Sequence, residues 1–324
     1  MSILVTGAAG FIGFHTCKAL LERGETVVGV DNLNDYYDRY LKKARIEQLT
    51  NVSGFAFKNV DVSNYADIES TVVGGGVHAI LHLAAQAGVR YSIDNPKVYA
   101  DSNLSGFFNI LELARHHDIE NVVYASSSSV YGGNTKLPFS ETDVTDTPVS
   151  FYGATKKSNE LMAHSYAHLY GVSLTGLRFF TVYGEWGRPD MAYWIFSEKL
   201  LQNQTVQIFN NGEMSRDFTY IGDIVDGIIA AIDKPARQLG FKVPHRIYNL
   251  GNDQPEKLMD LVISIEKAFG KKLLKDFQPM QLGDVERTWA DISRAKSELG
   301  YNPKTSLEEG IVNFATWFKD WKKS

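Results

Sequence analysis

The chain lacks the features that define several broad classes of protein. It has one cysteine, Cys17, in 324 residues, so an intrachain disulfide and a cysteine-based metal site are both excluded. Cys17 reads as a small core residue. No apolar run is long enough to cross a membrane, and no signal or transit pattern precedes the first strand. The expectation is a soluble, cytoplasmic protein. Charge of one sign is also scarce. The net charge is −5 and no long basic run occurs, which argues against nucleic acid or a membrane surface as partner. A polyanionic ligand would have to be held by a few placed arginines. The histidines are scattered and form no zinc-type helix pair with a supporting acid. His164 and His168, four apart, read as surface or packing residues, and no metal is expected. Internal repeats and low-complexity tracts are missing too.

What is present is an ordinary globular composition, 44% hydrophobic and 22% charged, with length for one large and one small domain. The first residues set the organisation. Ser2-Ile-Leu-Val-Thr6 is a short apolar run, followed by Gly7-Ala-Ala-Gly10-Phe-Ile-Gly13. Phe14 to Arg23 has the pattern of an amphipathic helix, Gly24 stops it, and Thr26 to Val30 is a second apolar run ending at Asp31. Strand, glycine turn, helix, strand and acid in this order is the context that a dinucleotide site requires. The glycines allow the tight turn, the approach of backbone to a pyrophosphate and close packing of helix on strand. Gly7, Gly10, Phe11, Ile12 and Gly13 are therefore candidate cofactor residues. The pyrophosphate would sit on free N–H groups at the helix N-terminus. Asp31, with Asn32 beside it, would accept hydrogen bonds from ribose hydroxyls and repel a 2′-phosphate, so NAD is expected rather than NADP.

Alternating strands and helices continue to about residue 180 and predict a doubly wound, Rossmann-like parallel sheet over residues 1–184. Asn32 to Thr50, with Tyr36-Tyr37, reads as a partly helical insertion, either solvated or near the adenosine end. Phe55 to Val60 ends at Asp61-Val62, where a carboxylate would meet adenine. Ala79 to Ala85 is a buried central strand whose end, Leu83-Ala84-Ala85, borders the cofactor. Tyr99 to His117 and Tyr152 to Tyr170 are long helices, the first carrying Asn103. After Gly184 the pattern becomes irregular. It predicts a smaller α/β lobe over residues 185–324, interleaved with the first. There Asp223 is expected to cap a helix running to about Asp233, and a Ser306/Glu309 capping box to open the last one.

Tyr152-Gly-Ala-Thr-Lys156 puts a phenol and an ammonium on one helical face. A free tyrosine titrates near ~10, too high for a base at neutral pH. A neighbouring lysine cation and a nicotinamide would stabilise its phenolate. The glycine turn, the serine-rich strand end at Ser126–Ser129 and this pair together make the chemistry specific.

With His82-Leu-Ala-Ala85, these motifs resemble the extended short-chain dehydrogenase/reductase family, which modifies nucleotide-linked sugars. Gln86-Ala-Gly-Val-Arg90-Tyr-Ser92 and the run from Arg178 to Ala192 resemble its UDP-glucuronate 4-epimerases. The resemblance implies a UDP-sugar substrate, with Ser127, Tyr152 and Lys156 as catalytic residues. Ser128, Ser129 and Thr181 would hold the sugar carboxylate, with Arg188 nearby, and Arg90 falls in the substrate motif. It further implies Arg216 at the diphosphate, Phe209 near uridine and Asp284 at the uridine ribose. Thr181 stands where UDP-galactose 4-epimerases usually have asparagine. Arg287 departs from the family pattern, reads as a solvated charge and is given no role. Glu185 replaces a usual proline. Sugar-nucleotide 4,6-dehydratases typically carry Thr-Asp-Glu at Ser127–Ser129, and UDP-glucuronate decarboxylases a glutamate at Ser129, so those activities are alternatives, as are another UDP-hexose 4-epimerase and an idle NAD-binding regulator. The two long helices match those that pair across a two-fold axis in relatives, implying a homodimer.

Overall fold

Apolar runs separated by turn residues become the strands of a parallel sheet in the computed structural model, which describes residues 1–74, 76–281 and 285–323. The strands are β1 (Ser2–Thr6), β2 (Thr26–Asp31), β3 (Phe55–Asn59), β4 (Val77–His82), β5 (Asn121–Ser127), β6 (Leu174–Phe179), β7 (Thr181–Tyr183), β8 (Thr205–Ile208), β9 (Ser215–Tyr220), β10 (His245–Leu250), β11 (Pro255–Lys257) and β12 (Leu274–Phe277). Seven form one sheet in the order β10-β6-β5-β4-β1-β2-β3. Every pairing in it is parallel. The order reverses between β1 and β4, and such a switch point opens a crevice at the carboxyl ends of the strands. Helices bury the sheet on both faces. Phe11–Glu22 and Ile221–Asp233 contribute to one core, and Gly106–His116 and Phe151–Tyr170 to the other.

Beyond Gly184 a second core forms around Trp194, Phe218, Leu261, Phe314 and Phe318. It carries two small sheets, β11-β9-β7 and β12-β8. The chain nevertheless returns to the first sheet, where β10 pairs with β6 over its whole length.

Three local expectations are corrected. The glycine-turn helix begins at Phe11 rather than Phe14, because Gly10 already stands at its N-cap. The expected helix from Tyr99 forms without a break, but it starts earlier, at Pro96, and is not regular. Short helices Tyr91–Asp94 and Pro96–Tyr99 lead into a π-helical stretch, Ala100–Ser105, before Gly106–His116. Asp223 lies in the first turn of its helix, with Tyr220 at the N-cap. Its carboxylate accepts the Lys304 and Thr305 amides, 3.0 Å each, tying down the approach to the last helix. That last helix, Leu307–Trp321, is capped as expected by Ser306, whose Oγ accepts the Glu309 amide.

Candidate active site

The glycine turn folds tightly on itself. The Gly7 amide donates to the Val30 carbonyl at 2.7 Å and the Gly10 amide to the Gly7 carbonyl at 2.9 Å. A Cβ on Gly13 would lie 2.1 Å from that Gly7 oxygen, so no other residue fits there without moving the turn. At the end of β2, Asp31 accepts the Ala9 amide at 3.1 Å and the Leu33 amide at 2.9 Å. Burial pushes the Asp31 carboxyl up, while the nearby Lys42 ammonium and these two amides pull the other way. Asn32 donates to Asp61 at 2.8 Å. Burial opposes ionisation of Asp61, yet the hydrogen bonds of Ser63 and Asn32 hold its carboxyl below the usual range.

One cleft runs from Asp31, Asn32, Asp61 and Val62, past Gly7, Gly10, Phe11, Ile12 and Gly13, along Leu83, Ala84 and Ala85, to Ser127, Tyr152, Lys156 and Arg188. A turn without room for side chains, an open helix N-terminus and a carboxylate at the far end fit a dinucleotide whose nicotinamide end lies by Tyr152.

The helix Phe151–Tyr170 starts where Ser150 Oγ accepts the Gly153 amide at 3.0 Å. This cap fixes the first turn, which carries Tyr152. Ser127, at the end of β5, accepts the Ser129 amide at 3.1 Å and hydrogen-bonds the Tyr152 phenol. Lys156 is 2% exposed and donates to the Ala125 carbonyl at 2.9 Å. Burial draws its ammonium down to about 8. Burial also raises Tyr152, against which the Ser127 hydrogen bond and the Arg188 charge act. Arg188 thus adds a cation beside the phenol that the Tyr152–Lys156 spacing alone does not provide. Beneath the serine turn lies a buried ion pair, Arg178 Nε and Nη2 to the two Glu160 oxygens at 2.8 Å each. Ser126 donates to the same carboxylate at 2.6 Å.

Asn103 does not line the cleft. Fully buried, its Oδ1 accepts the Gln86 amide at 2.8 Å, and its Nδ2 donates to the Gln86 carbonyl at 3.0 Å and Thr155 Oγ1 at 3.1 Å. It clamps the loop after β4 to the helix of Tyr152, and Ser102 and Gln86 meet the cleft instead.

On the sugar side, Arg188 makes two hydrogen bonds to Asp190, 3.0 and 2.5 Å, and Tyr36 donates to Asp190 at 3.1 Å. The Arg90 guanidinium lies 5.5 Å from the centre of the Phe209 ring, joining two candidate substrate residues from distant segments. Arg216, on β9, donates to the Ser215 and Glu286 carbonyls. Ser127 stands opposite Phe179 in the ladder. Ser128, Ser129 and Thr181 thus leave the sheet at one edge, beside the lining residues Phe179, Phe180 and Val182. Arg287 is exposed, and its backbone bridges Ser215. Asp284 lies outside the described residues.

Several cleft residues were missed from sequence: Tyr36, Tyr37, Lys42, Gln86 and Met191. The insertion Asn32–Thr50 is not a solvated segment. Its helix Arg39–Thr50 buries Leu41, Lys42, Arg45, Ile46 and Leu49. The signal was that Lys42 and Arg45 share the face of Leu41 and Leu49.

Comparison with known proteins agrees with this geometry. An uncharacterised protein of Methanocaldococcus jannaschii is 53% identical over 99% of this chain and 98% of its own. UDP-glucuronate 4-epimerase 3 of Arabidopsis thaliana is 47% identical over 98% of this chain and 76% of its own. The crystal structure of UDP-glucuronic acid 4-epimerase from Bacillus cereus, in complex with UDP-glucuronic acid and NAD, superposes with a TM-score of 0.92 at 35% identity. It covers 99% of this chain and 100% of that one. The model of the NAD dependent epimerase/dehydratase family matches residues 3–251, more than half of the chain, and the protein belongs to that family.

Proposed function

We propose that the chain interconverts UDP-glucuronate and UDP-galacturonate by oxidation and re-reduction at sugar C4. The observation that carries this is the convergence of Ser127, Tyr152 and Lys156 on the cleft of the glycine turn, with Arg188 at the same end. Bound NAD supplies the acceptor, and then the donor, of the C4 hydride. Tyr152 acts as the base from its phenolate form, which the Arg188 charge and the cationic nicotinamide of bound NAD would favour against burial; it takes the O4 proton, which Ser127 shares through its hydrogen bond to the phenol. Lys156, at the same end of the cleft, would donate to the nicotinamide ribose when NAD is bound. Tyr152 keeps the proton while the 4-keto sugar turns its other face, then returns it to O4 as hydride is delivered with inverted configuration. UDP is the anchor for that turn, with Arg216 assigned to the diphosphate and Phe209 and Arg90 to the uridine side. Ser128, Ser129, Thr181 and Arg188 are assigned to the sugar carboxylate.

Among the described residues lining the cleft, the acids are Asp31 and Asp61, both at the adenosine end. The turn Ser127–Ser129 offers only hydroxyls where a dehydratase or decarboxylase would need a carboxyl to shuttle a proton. This favours epimerisation over elimination or loss of CO2. We assign the cofactor to residues 1–184 and the sugar nucleotide to residues 185–324. We also infer a homodimer, supported by Phe108, Leu161 and Leu169 exposed on the helices Gly106–His116 and Phe151–Tyr170. We also infer a cytoplasmic enzyme; no helix among the described residues is long and apolar enough to cross a membrane. Incubation with UDP-glucuronate and separation of the products tests the reading. UDP-galacturonate supports it, whereas a UDP-pentose or unchanged substrate overturns it.

A further inference from the structure

The helix Arg39–Thr50 supplies a guanidinium that does not itself line the cleft yet ties its two sides together. Arg45 is 0% exposed. Its Nη1 donates to the Ala9 carbonyl at 2.8 Å and to the Tyr37 hydroxyl at 2.7 Å. Its Nη2 donates to the carbonyls of Trp186 at 2.5 Å and Gly187 at 2.8 Å. Ala9 belongs to the glycine turn, and its own amide is held by Asp31. Trp186 and Gly187 lead directly into Arg188.

The preceding carbonyl is taken as well. His15 Nε2 bonds the Glu185 oxygen at 2.9 Å, and burial draws the imidazole down to about 4, so the neutral ring donates through Nε2. Three successive carbonyls, Glu185 to Gly187, are therefore gripped by side chains from the cofactor half. The segment needs this support. Trp186 has φ of +55°, a conformation that bulky residues reach only when their surroundings enforce it. Gly187 has no space for a side chain, since a Cβ would lie 1.8 Å from the Tyr193 hydroxyl. The hydrogen bonds of Arg45 go to three main-chain carbonyls and a phenol rather than to an acid. A buried charge in such a place is costly, and an apolar side chain of like volume serves a core better. What an apolar residue cannot do is join the two segments.

We propose that Arg45 is a positioning residue that fastens the Glu185–Asp190 segment to the back of the glycine turn, so that Arg188 is aimed at the sugar's acid group from a scaffold shared with the cofactor. This rests on the reading of Arg188 as a partner of the sugar carboxylate. Asp190, itself held by Tyr36, grips the head of Arg188, while Arg45 and His15 fix the main chain that leads into it.

The test is a double-mutant cycle on NAD-loaded protein, with UDP-glucuronate and UDP-glucose binding measured by calorimetry. Arg45→Lys keeps the charge but has no fork to span Ala9 and Trp186. It should weaken UDP-glucuronate about tenfold and change UDP-glucose less than about twofold, and that selective loss should vanish in an Arg188→Ala background. Equal weakening of both ligands, or a loss that persists without Arg188, overturns the proposal. If Arg45→Lys does not fold, His15→Phe, which removes only the bond to Glu185, must show the same selectivity, and equal losses there overturn it too. Failure of the underlying reading looks different. In that case the unaltered protein itself would bind UDP-glucuronate no better than UDP-glucose.

Discussion

Lys156 is a cation stored at a loss. Its ammonium is buried and donates to the Ala125 carbonyl rather than to an acid, and its folded value of about 8 lies below the ~10.4 of a free lysine. Below pH 8 both folded and unfolded chains carry the charge, and burial costs the fold about 3 kcal/mol. Between about 8 and 10.5 the unfolded chain binds the extra proton, so stability attributable to this residue rises with pH across that window. Lys156→Met should therefore stabilise the NAD-free protein at pH 7 while abolishing turnover, with the gap to the unaltered protein closing as pH approaches 10.5. Denaturant melts at several pH values would show it. The carboxylate residues carry a second prediction. Oxidation at C4 of glucuronate gives a β-keto acid, which loses CO2 when the C5–C6 bond aligns with the carbonyl π orbitals. Hydrogen bonds to a charged group are worth about 1.5–3 kcal/mol, enough to hold the carboxylate out of that alignment. Ser128→Ala or Thr181→Ala should bind UDP normally but lose CO2, releasing UDP-4-keto-pentose and leaving NADH behind. Absence of any CO2 above the unaltered level would withdraw the role assigned to these hydroxyls. Tyr152 and Lys156 were legible because chemistry and helical spacing coincide in them. Arg45 and Lys42 were not, since a charge beside apolar residues on a helix reads as solvated until its partners are known.

Among elements, the strands were the most readable. Continuous apolar runs such as Ile80–Leu81 and Val122–Val123 are buried on both faces, as runs too short for a helix and bounded by turn residues indicate. The π-helical stretch Ala100–Ser105 was invisible, because a widened turn leaves no mark in a 3.6-residue pattern. Its cause is tertiary. The Asn103 carbonyl accepts Asn159 Nδ2 at 2.7 Å, while the Asn103 side chain pairs with both polar backbone groups of Gln86. Such widened turns concentrate at functional sites. Asn103→Ala should strand the buried Gln86 groups at a cost of about 1–3 kcal/mol. It should also loosen the Leu83–Gln86 wall, seen as a lower melting temperature together with loss of copurifying NAD. A variant that melts lower but retains its NAD would confine Asn103 to stability alone.

At the scale of the whole molecule, the exposed leucines of the helix Phe151–Tyr170, Leu161 at 60% and Leu169 at 64%, should be covered by a second copy. Leu161→Arg should convert a dimer to monomers in light scattering at micromolar concentration, and an unaltered protein that is already monomeric would refute the assembly. The return of β10 has a consequence for biosynthesis. Leu174–Phe179 is buried along its whole length in the finished protein and gains its outer neighbour only from His245–Leu250. At the roughly 5–20 residues per second of translation, the stretch of about 70 residues from Phe179 to Leu250 leaves that edge open for roughly 4–14 s. An uncovered apolar edge is where nascent chains pair wrongly. Much of the chain that is assigned to the sugar nucleotide must therefore leave the ribosome before the cofactor sheet is closed to its neighbours.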